Sequence, residues 1–127
     1  MTEHIPVIKC EDQELTVPTE WRKPLTDIVA CLASGELGKL PSVAPVAPLT
    51  DEECSDIELY IRDYGATLTS LPEESWKTSI YLWMGGYWDV LLDLFTVEEG
   101  PSDLGLSLRV YPREGSYTFR IEWLHVP

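Results

Sequence analysis

Residues 76–126 contain the feature that most constrains the fold of this chain. Four apolar segments, at about 78–84, 88–96, 104–111 and 117–126, are separated by clusters of glycine, proline and acidic residues. Segments rich in aromatic and β-branched residues between such clusters are typical of strands, and short connections favour antiparallel neighbours. The pattern therefore predicts a four-stranded antiparallel meander over residues 76–126.

The predicted sheet has one apolar face and one mixed face, because successive side chains of a strand point to opposite sides. The apolar face is predicted to contain Ile80, Leu82, Met84, Trp88, Val90, Leu92, Leu94, Leu104, Leu106, Leu108, Val110, Tyr117, Phe119, Ile121 and Trp123. The mixed face is predicted to contain Tyr81, Trp83, Asp89, Leu91, Asp93, Phe95, Ser107, Arg109, Tyr111, Thr118, Arg120 and Glu122. An antiparallel sheet of this kind buries its apolar face and leaves the other accessible.

The first hairpin fixes which side chains share a face. Met84 and Trp88 both point inward only if the loop holds three residues, 85–87. A two-residue glycine turn would instead place Leu82 opposite Asp89 and mix the faces. We therefore expect a three-residue loop with one glycine in a left-handed conformation.

Two amphipathic helices are predicted before the sheet. The first covers residues 21–34, and Pro24 suits its first turn, so the regular part is expected to begin there. Its apolar face consists of Trp21, Leu25, Ile28, Val29 and Leu32. The second covers residues 50–65, because Thr50 and Glu53 have the spacing of a capping box and Gly65 is a natural stop. Its apolar stripe consists of Cys54, Ile57, Tyr60, Ile61 and Tyr64.

The remaining segments complete a single α+β domain. Residues 4–17 favour a small N-terminal hairpin, and the proline-rich residues 35–49 favour an extended connector over the surface. Residues 1–49 thus hold hairpin, helix and connector, residues 50–65 the second helix, and residues 76–126 the sheet. Both helices are expected to pack on the apolar face of the sheet.

Charge and cysteine content limit the classes of partner. The net charge is −13, and residues 41–75 alone carry eight acids and one base. An acidic surface repels nucleic acid and anionic lipid and attracts basic proteins, although solubility alone also explains it. No apolar run approaches the ~18 residues of a membrane span, and the N-terminus lacks a secretion-signal layout. Three cysteines without metal-type spacing favour reduced thiols in a cytoplasmic protein.

Candidate catalytic and metal-binding residues are sparse. The histidines are His4 and His125, and His125 is expected among the inward residues as a satisfied core histidine. Glu98, Glu99 and Asp103 lie in one loop but lack the regular oxygen spacing of a calcium site. We therefore expect no catalytic residue, no metal and no cofactor.

Two aspartates stand out within the strand segment WDVLLDLF. With Leu94 opposite Leu104, Asp89 is expected to meet Arg109 across the strands, and Asp93 to face outward as well. Alternatively, these acids and the neighbouring Trp83 form a binding surface, since contiguous exposed aromatics usually mark a partner.

The C-terminal part of the chain resembles a bacterial family of domains of unknown function. That family shares W-x-S, then W-D-V-L-x-D-L-x-T-x-E-E-G-x-S-D-L, then a closing H-V. The matching positions are Trp76, Ser79, Trp88, Asp89, Val90, Leu91, Asp93, Leu94, Thr96, Glu98, Glu99, Gly100, Ser102, Asp103, Leu104, His125 and Val126. Residues 61–65 and 71–76 also match, whereas Pro101 replaces an expected basic residue, which removes the basis for a salt bridge from that loop.

The resemblance names no reaction, but size and charge are similar to those of immunity proteins of contact-dependent growth inhibition. Such a protein binds and neutralises a cognate toxin C-terminal domain, expected to be basic, and binds neither nucleic acid nor membrane. The predicted partner-binding residues are Asp51, Glu52, Asp56, Glu58, Trp83, Asp89, Asp93, Glu98, Glu99 and Asp103. The protein would be a monomer or a homodimer.

Two other hypotheses stay open. The first is a self-associating structural or regulatory domain that uses the mixed sheet face. The second is a small enzyme that uses Asp89, Asp93 and His125, which requires these three side chains to converge in one cleft.

Overall fold

Five antiparallel strands in sequential order form the sheet, one more than the sequence predicts. The computed structural model of the protein describes residues 4–43 and 45–127. The strands are β1 (Leu15–Thr16), β2 (Ile80–Trp83), β3 (Trp88–Thr96), β4 (Gly100–Arg113) and β5 (Ser116–His125). The last four strands are the predicted meander, so the α+β fold class is confirmed.

Three α-helices precede the meander in the described part of the chain: α1 (Thr19–Ser34), the short α2 (Leu40–Val43) and α3 (Asp51–Tyr64). Two 3₁₀ segments, Leu37–Lys39 and Glu73–Lys77, join them to their neighbours. Helix α1 begins at Thr19, after Pro18, and Pro24 lies inside it, so the prediction that regular helix starts at Pro24 is wrong. Helix α3 lies within the predicted range of 50–65, with Thr50 and Gly65 as its caps, and Gly65 has φ +88°.

The core lies on the inner face of the meander, which we define as the face that carries Trp88, Val90, Leu92 and Leu94. Trp21 of α1 is fully buried there, and its ring meets those of Tyr81 and Trp88 edge to face at 5.2 Å. Ile57 of α3 belongs to the same core. Both long helices therefore pack on one side of the sheet, as predicted.

The β2–β3 hairpin has a different register from the predicted one. Trp83 pairs with Trp88 and Leu82 with Asp89, and the Met84 N–H donates to the Tyr87 carbonyl at 2.8 Å. Only Gly85 and Gly86 remain as the connection, so the three-residue loop is wrong. The left-handed glycine is confirmed, because Gly85 has φ +98°.

This register reverses the predicted faces of β2. Tyr81 is 1% exposed, and its hydroxyl accepts a hydrogen bond from the Ile8 N–H at 2.8 Å. Ile80 and Leu82 lie on the outer face, beside Leu91 and Asp89. All four residues of β2 are apolar or aromatic, so hydrophobicity alone does not distinguish the two registers.

A β-bulge in β5 changes the faces at the end of the meander. Ser107 pairs with Trp123, but Leu108 pairs with Ile121, so Glu122 is the extra residue. Leu124 becomes buried opposite Leu106, whereas Trp123 is 58% exposed. The predictions that Trp123 and His125 point inward are therefore wrong.

The N-terminal hairpin and the extended connector are also corrected in part. Within the described residues, β1 pairs with β2 and no hairpin forms between residues 4 and 17. The connector begins with the 3₁₀ segment and α2, and only then extends, where Val46 bridges Phe119 of β5. It covers part of the β5 edge, a sheet edge that would otherwise expose backbone groups.

Candidate partner-binding surface

Helix α3 presents a row of carboxylates to solvent. Asp51, Glu52, Asp56 and Glu58 are exposed, and none of the four has an ion-pair partner within residues 4–43 and 45–127. Glu53 is engaged instead in the predicted capping box with Thr50. The helix thus carries a strong negative charge that the described residues leave uncompensated.

The capping box fixes the start of α3. The Glu53 N–H donates to the Thr50 hydroxyl at 3.1 Å, and the Thr50 N–H donates to the Glu53 carboxylate at 2.9 Å. The bond from the Thr50 backbone lowers the pKa of Glu53, because it stabilises the ionised form. The positive end of the helix dipole also stabilises carboxylates in the first turn.

The predicted site residues Glu98, Glu99 and Asp103 connect the β3–β4 turn to the end of α3. Glu98 accepts from the Thr67 N–H at 2.7 Å, which lowers the pKa of Glu98. Glu99 accepts from the Tyr64 hydroxyl at 2.8 Å, and the Asp103 N–H donates to the same hydroxyl at 3.2 Å. Glu98 and Glu99 therefore have structural partners, while the Asp103 carboxylate is exposed.

The other predicted site residues do not share one face. Asp89 lies on the outer face beside Arg109, with a 3.8 Å separation from its guanidinium, as predicted. Asp93 is also on this face, opposite Gly105. Trp83 lies on the inner side at the end of β2, 4.6 Å from the Trp88 ring, so its expected place on the mixed face is wrong.

The outer face contains a groove of about 500 Å³ between Glu14 and β5. Its lining combines Ile80, Leu82 and Leu91 with Asp89, Ser107, Arg109, Glu122, Trp123 and His125. The Ser107 hydroxyl and the His125 Nε2 are 2.9 Å apart, and the Trp123 indole stacks on the imidazole at 3.9 Å. We call this the outer groove.

A second, smaller groove of about 180 Å³ separates α3 from β5. It is lined by Leu49, Glu53, Asp56, Ile57, Tyr60, Ile121, Glu122, Trp123 and Leu124. The Tyr60 hydroxyl accepts from the Val126 N–H at 3.2 Å and so holds the end of β5 against the helix. We call this the helix groove. Glu122 and Trp123 line both grooves.

Sequence reasoning missed Trp123 and Tyr60 as surface residues. Trp123 was expected inside because its position fits the alternation of β5 up to Ile121, and the bulge at Glu122 breaks that alternation. The adjacent Leu124 is the available signal that Trp123 faces solvent. In a regular strand, only one of two consecutive large apolar residues can face the core. Tyr60 was expected in the apolar stripe but is 38% exposed.

The residues of the enzyme hypothesis are only partly brought together. Asp89 and His125 line the outer groove, whereas Asp93 does not. Asp93 is instead fixed through its backbone, which accepts from the Ser75 hydroxyl at 2.7 Å and donates to the Ser79 hydroxyl at 3.0 Å. Among the described residues, no three His, Cys, Asp or Glu side chains are placed to hold a metal ion.

The three cysteines carry free thiols. Burial raises the pKa of the Cys31 and Cys54 thiols, and nearby acids act in the same direction. A raised pKa reduces the thiolate fraction at neutral pH and hence the reactivity of these residues.

Comparison with known proteins identifies the family but no activity. No curated protein and no solved structure matches the chain. Across the described ranges, no helical segment combines the length and the apolar character that crossing a bilayer requires. One family, described as "Domain of unknown function (DUF7668)", matches residues 29–127, which include α3, the whole meander, the helix groove and every lining residue of the outer groove except Glu14. The chain therefore belongs to this DUF7668 family.

Proposed function

We propose that the protein is a non-catalytic acidic binding protein, an immunity protein that binds and neutralises a cognate bacterial toxin domain of basic charge. The observation that carries the proposal is the exposed row of Asp51, Glu52, Asp56 and Glu58 on α3, which has no ion-pair partner within the described ranges. The net charge of −13 acts in the same direction.

Uncompensated charge on one helix suits recognition of a basic protein better than it suits stability. Asp51 and Glu52 lie in the first turn, where the helix dipole favours acids, but Asp56 and Glu58 lie beyond it, and like charges on one helix repel. A basic partner would relieve that repulsion and would be attracted over a distance of about 8–10 Å at physiological salt. Such steering raises the association rate and selects against acidic partners.

Neutralisation of the row tests the proposal. The test variant combines Asp51→Asn, Glu52→Gln, Asp56→Asn and Glu58→Gln. The control variant makes the same change of charge at four other exposed acids, with Asp12→Asn, Glu73→Gln, Glu74→Gln and Glu114→Gln. The proposal expects a toxin gene next to this one. The probe is the C-terminal domain of its product, and the measurements are the affinity of that domain in solution and the survival of cells that produce it.

We expect the test variant to bind roughly tenfold or more weakly, mainly through slower association, and the control to stay within about threefold of the native chain. The test variant should also protect cells from the toxin domain less well than the control variant and the native chain do. If the native chain neither binds the domain nor rescues the cells, the function is wrong. If both variants weaken equally, net charge rather than the α3 row is responsible.

Self-association is the competing function, and half-buried apolar side chains on the outer face favour it. Ile80, Leu82 and Leu91 all line the outer groove. Light scattering at high micromolar concentration distinguishes the two: a stable dimer disrupted by Leu91→Asp would favour self-association, and a monomer would count against it.

A hydrolase is the third candidate, for which the Ser107–His125 contact is the motivating observation. If the protein is a hydrolase, Ser107→Ala should abolish turnover of a model ester.

A further inference from the structure

We propose that Trp123 is the anchor of the docking surface and that it receives arginine side chains of the basic partner. This inference rests on the proposed function and places its contact site on the ridge between the outer groove and the helix groove. Sequence reasoning placed that site on α3, on the turn between β3 and β4, and on the sheet residues Trp83, Asp89 and Asp93.

The Trp123 side chain is both exposed and held in place. The residue is 58% exposed, although it belongs to a strand. One face of the indole stacks on His125 at an interplanar angle of 9°, and His125 is itself tied to Ser107. A large aromatic ring that is already ordered loses little conformational entropy on binding, and tryptophan is enriched among residues that dominate binding energy.

A groove lies on each side of this ring. The outer groove of about 500 Å³ and the helix groove of about 180 Å³ share Trp123 and Glu122 as lining residues. Each lining includes apolar side chains, such as Leu91 in the first and Ile57 in the second. A ridge flanked by two depressions can contact a protein surface on both sides and exclude water from the centre of the contact.

The charge of the two linings specifies the occupant. Glu14, Asp89 and Glu122 line the outer groove, and Glu53, Asp56 and Glu122 line the helix groove. Among these described lining residues, Arg109 is the one lysine or arginine, and it lies within 4 Å of Asp89 and Glu122. Arg120, outside both linings, also lies within 4 Å of Glu122. Carboxylates thus outnumber guanidinium groups around the exposed ring.

Arginine fits this arrangement better than lysine. A guanidinium group is planar, stacks on an indole and binds a carboxylate through two parallel hydrogen bonds. Trp123 supplies the ring, and Glu14 and Asp56, which have no ion-pair partner within the described residues, supply one carboxylate in each of the two linings. The expected occupant is therefore an arginine-bearing segment of a basic protein.

The test uses a defined probe that does not depend on the toxin. An acetylated, amidated peptide of alternating arginine and glycine is titrated into the ¹⁵N-labelled full chain, and indole and backbone amide signals are followed by NMR. The matched peptide with lysine in place of arginine is titrated in parallel. Trp123→Ala tests the anchor, and Val97→Ala, at another exposed apolar residue (68%), is the control.

We expect the largest shift at the Trp123 indole N–H and at amides of β5 and α3, with arginine binding roughly threefold more tightly than lysine. Trp123→Ala should abolish the localised shifts, and Val97→Ala should leave them unchanged. The inference is overturned if millimolar arginine peptide produces no shift, or if the shifts lie elsewhere. It is also overturned if Trp123 signals change with protein concentration alone, because a second copy then covers the ridge.

The toxin domain separates the inference from the proposed function. If the native chain neutralises the domain and Trp123→Ala weakens its binding by about thirtyfold, both stand. If neutralisation survives Trp123→Ala unchanged, the function stands and the site is wrong. If the arginine peptide binds at Trp123 but the toxin domain does not bind, the site stands and the function is wrong.

Discussion

The two long helices differ sharply in what they bury, although sequence predicted an apolar stripe of five residues for each. Helix α1 buries Trp21, Leu25, Ile28, Val29, Cys31 and Leu32 against the sheet. Helix α3, also fully described, buries Ile57 and leaves Leu59 and Tyr60 exposed. Helix α1 is therefore part of the core, whereas α3 lies at its margin.

The charge of the two helices differs in the same direction. The acids of α1 include Asp27, which pairs with Lys23 at 3.2 Å. The first turn of α3 contains Asp51, Glu52 and Glu53 together, and the helix has Arg62 as its basic residue. Helix α3 thus contributes little burial and carries much unpaired charge, which is why we propose it, rather than α1, as part of the recognition surface.

The largest effect on stability should come from α1. Trp21→Ala removes a fully buried ring that contacts Tyr81, Trp88, Tyr117 and Phe119. We expect a loss of about 3–5 kcal/mol in the free energy of unfolding, measured by urea denaturation. A loss below about 1 kcal/mol would show that α1 is no more central than α3.

Ile57→Ala should have a smaller effect, because Ile57 is 7% exposed at the edge of the core. We expect a loss of about 2 kcal/mol, the low end for truncation of a buried isoleucine. Leu59→Ala, on the same helix but 45% exposed, is the control and should stay within about 0.5 kcal/mol of the native chain. Equal losses at the two positions would mean that the burial of α3 is misassigned.

The smallest effect concerns the pH dependence of the α3 cap. The pKa of Glu53 is lowered in the folded state, so its contribution to stability is present above the ordinary glutamate pKa and is lost as pH falls through the lowered value. Glu53→Gln should therefore be less stable than the native chain at pH 7. The difference should shrink as the pH falls below the ordinary glutamate pKa and vanish below the lowered pKa of Glu53. Urea denaturation at a series of pH values measures this, and a pH-independent difference would contradict it.

The reliability of sequence reasoning also differed between regions. The capping box and the caps of α3 followed from local spacing. The Asp89–Arg109 pairing followed from β3, which alternates throughout, and from the part of β4 after Leu106. The predicted register of β2 is wrong because all four of its residues are compatible with burial. They are Ile80, Tyr81, Leu82 and Trp83. In the observed register the Tyr81 hydroxyl accepts from the Ile8 N–H, a partner 73 positions away that local pattern does not reveal.

The site was harder to predict than the fold. Six of the ten predicted partner-binding residues are exposed acids of α3 or half-buried aspartates of the outer face, so their accessibility is as expected, although their role stays a prediction. Glu98 and Glu99 have structural partners that pattern alone does not reveal. The exposure of Trp123 was not predicted because the bulged residue Glu122 reverses the faces of the β5 residues that follow it.

The most direct test of the account is the footprint of the toxin domain on this protein, measured by amide hydrogen exchange and indole NMR signals in the complex. We predict protection along α3 and β5 and at the Trp123 indole, with α1 unchanged on binding. Protection on the exposed side of α1, around Lys23 and Asp27, with α3 and Trp123 unaffected, would contradict the assignment of α3 and its neighbouring ridge to recognition.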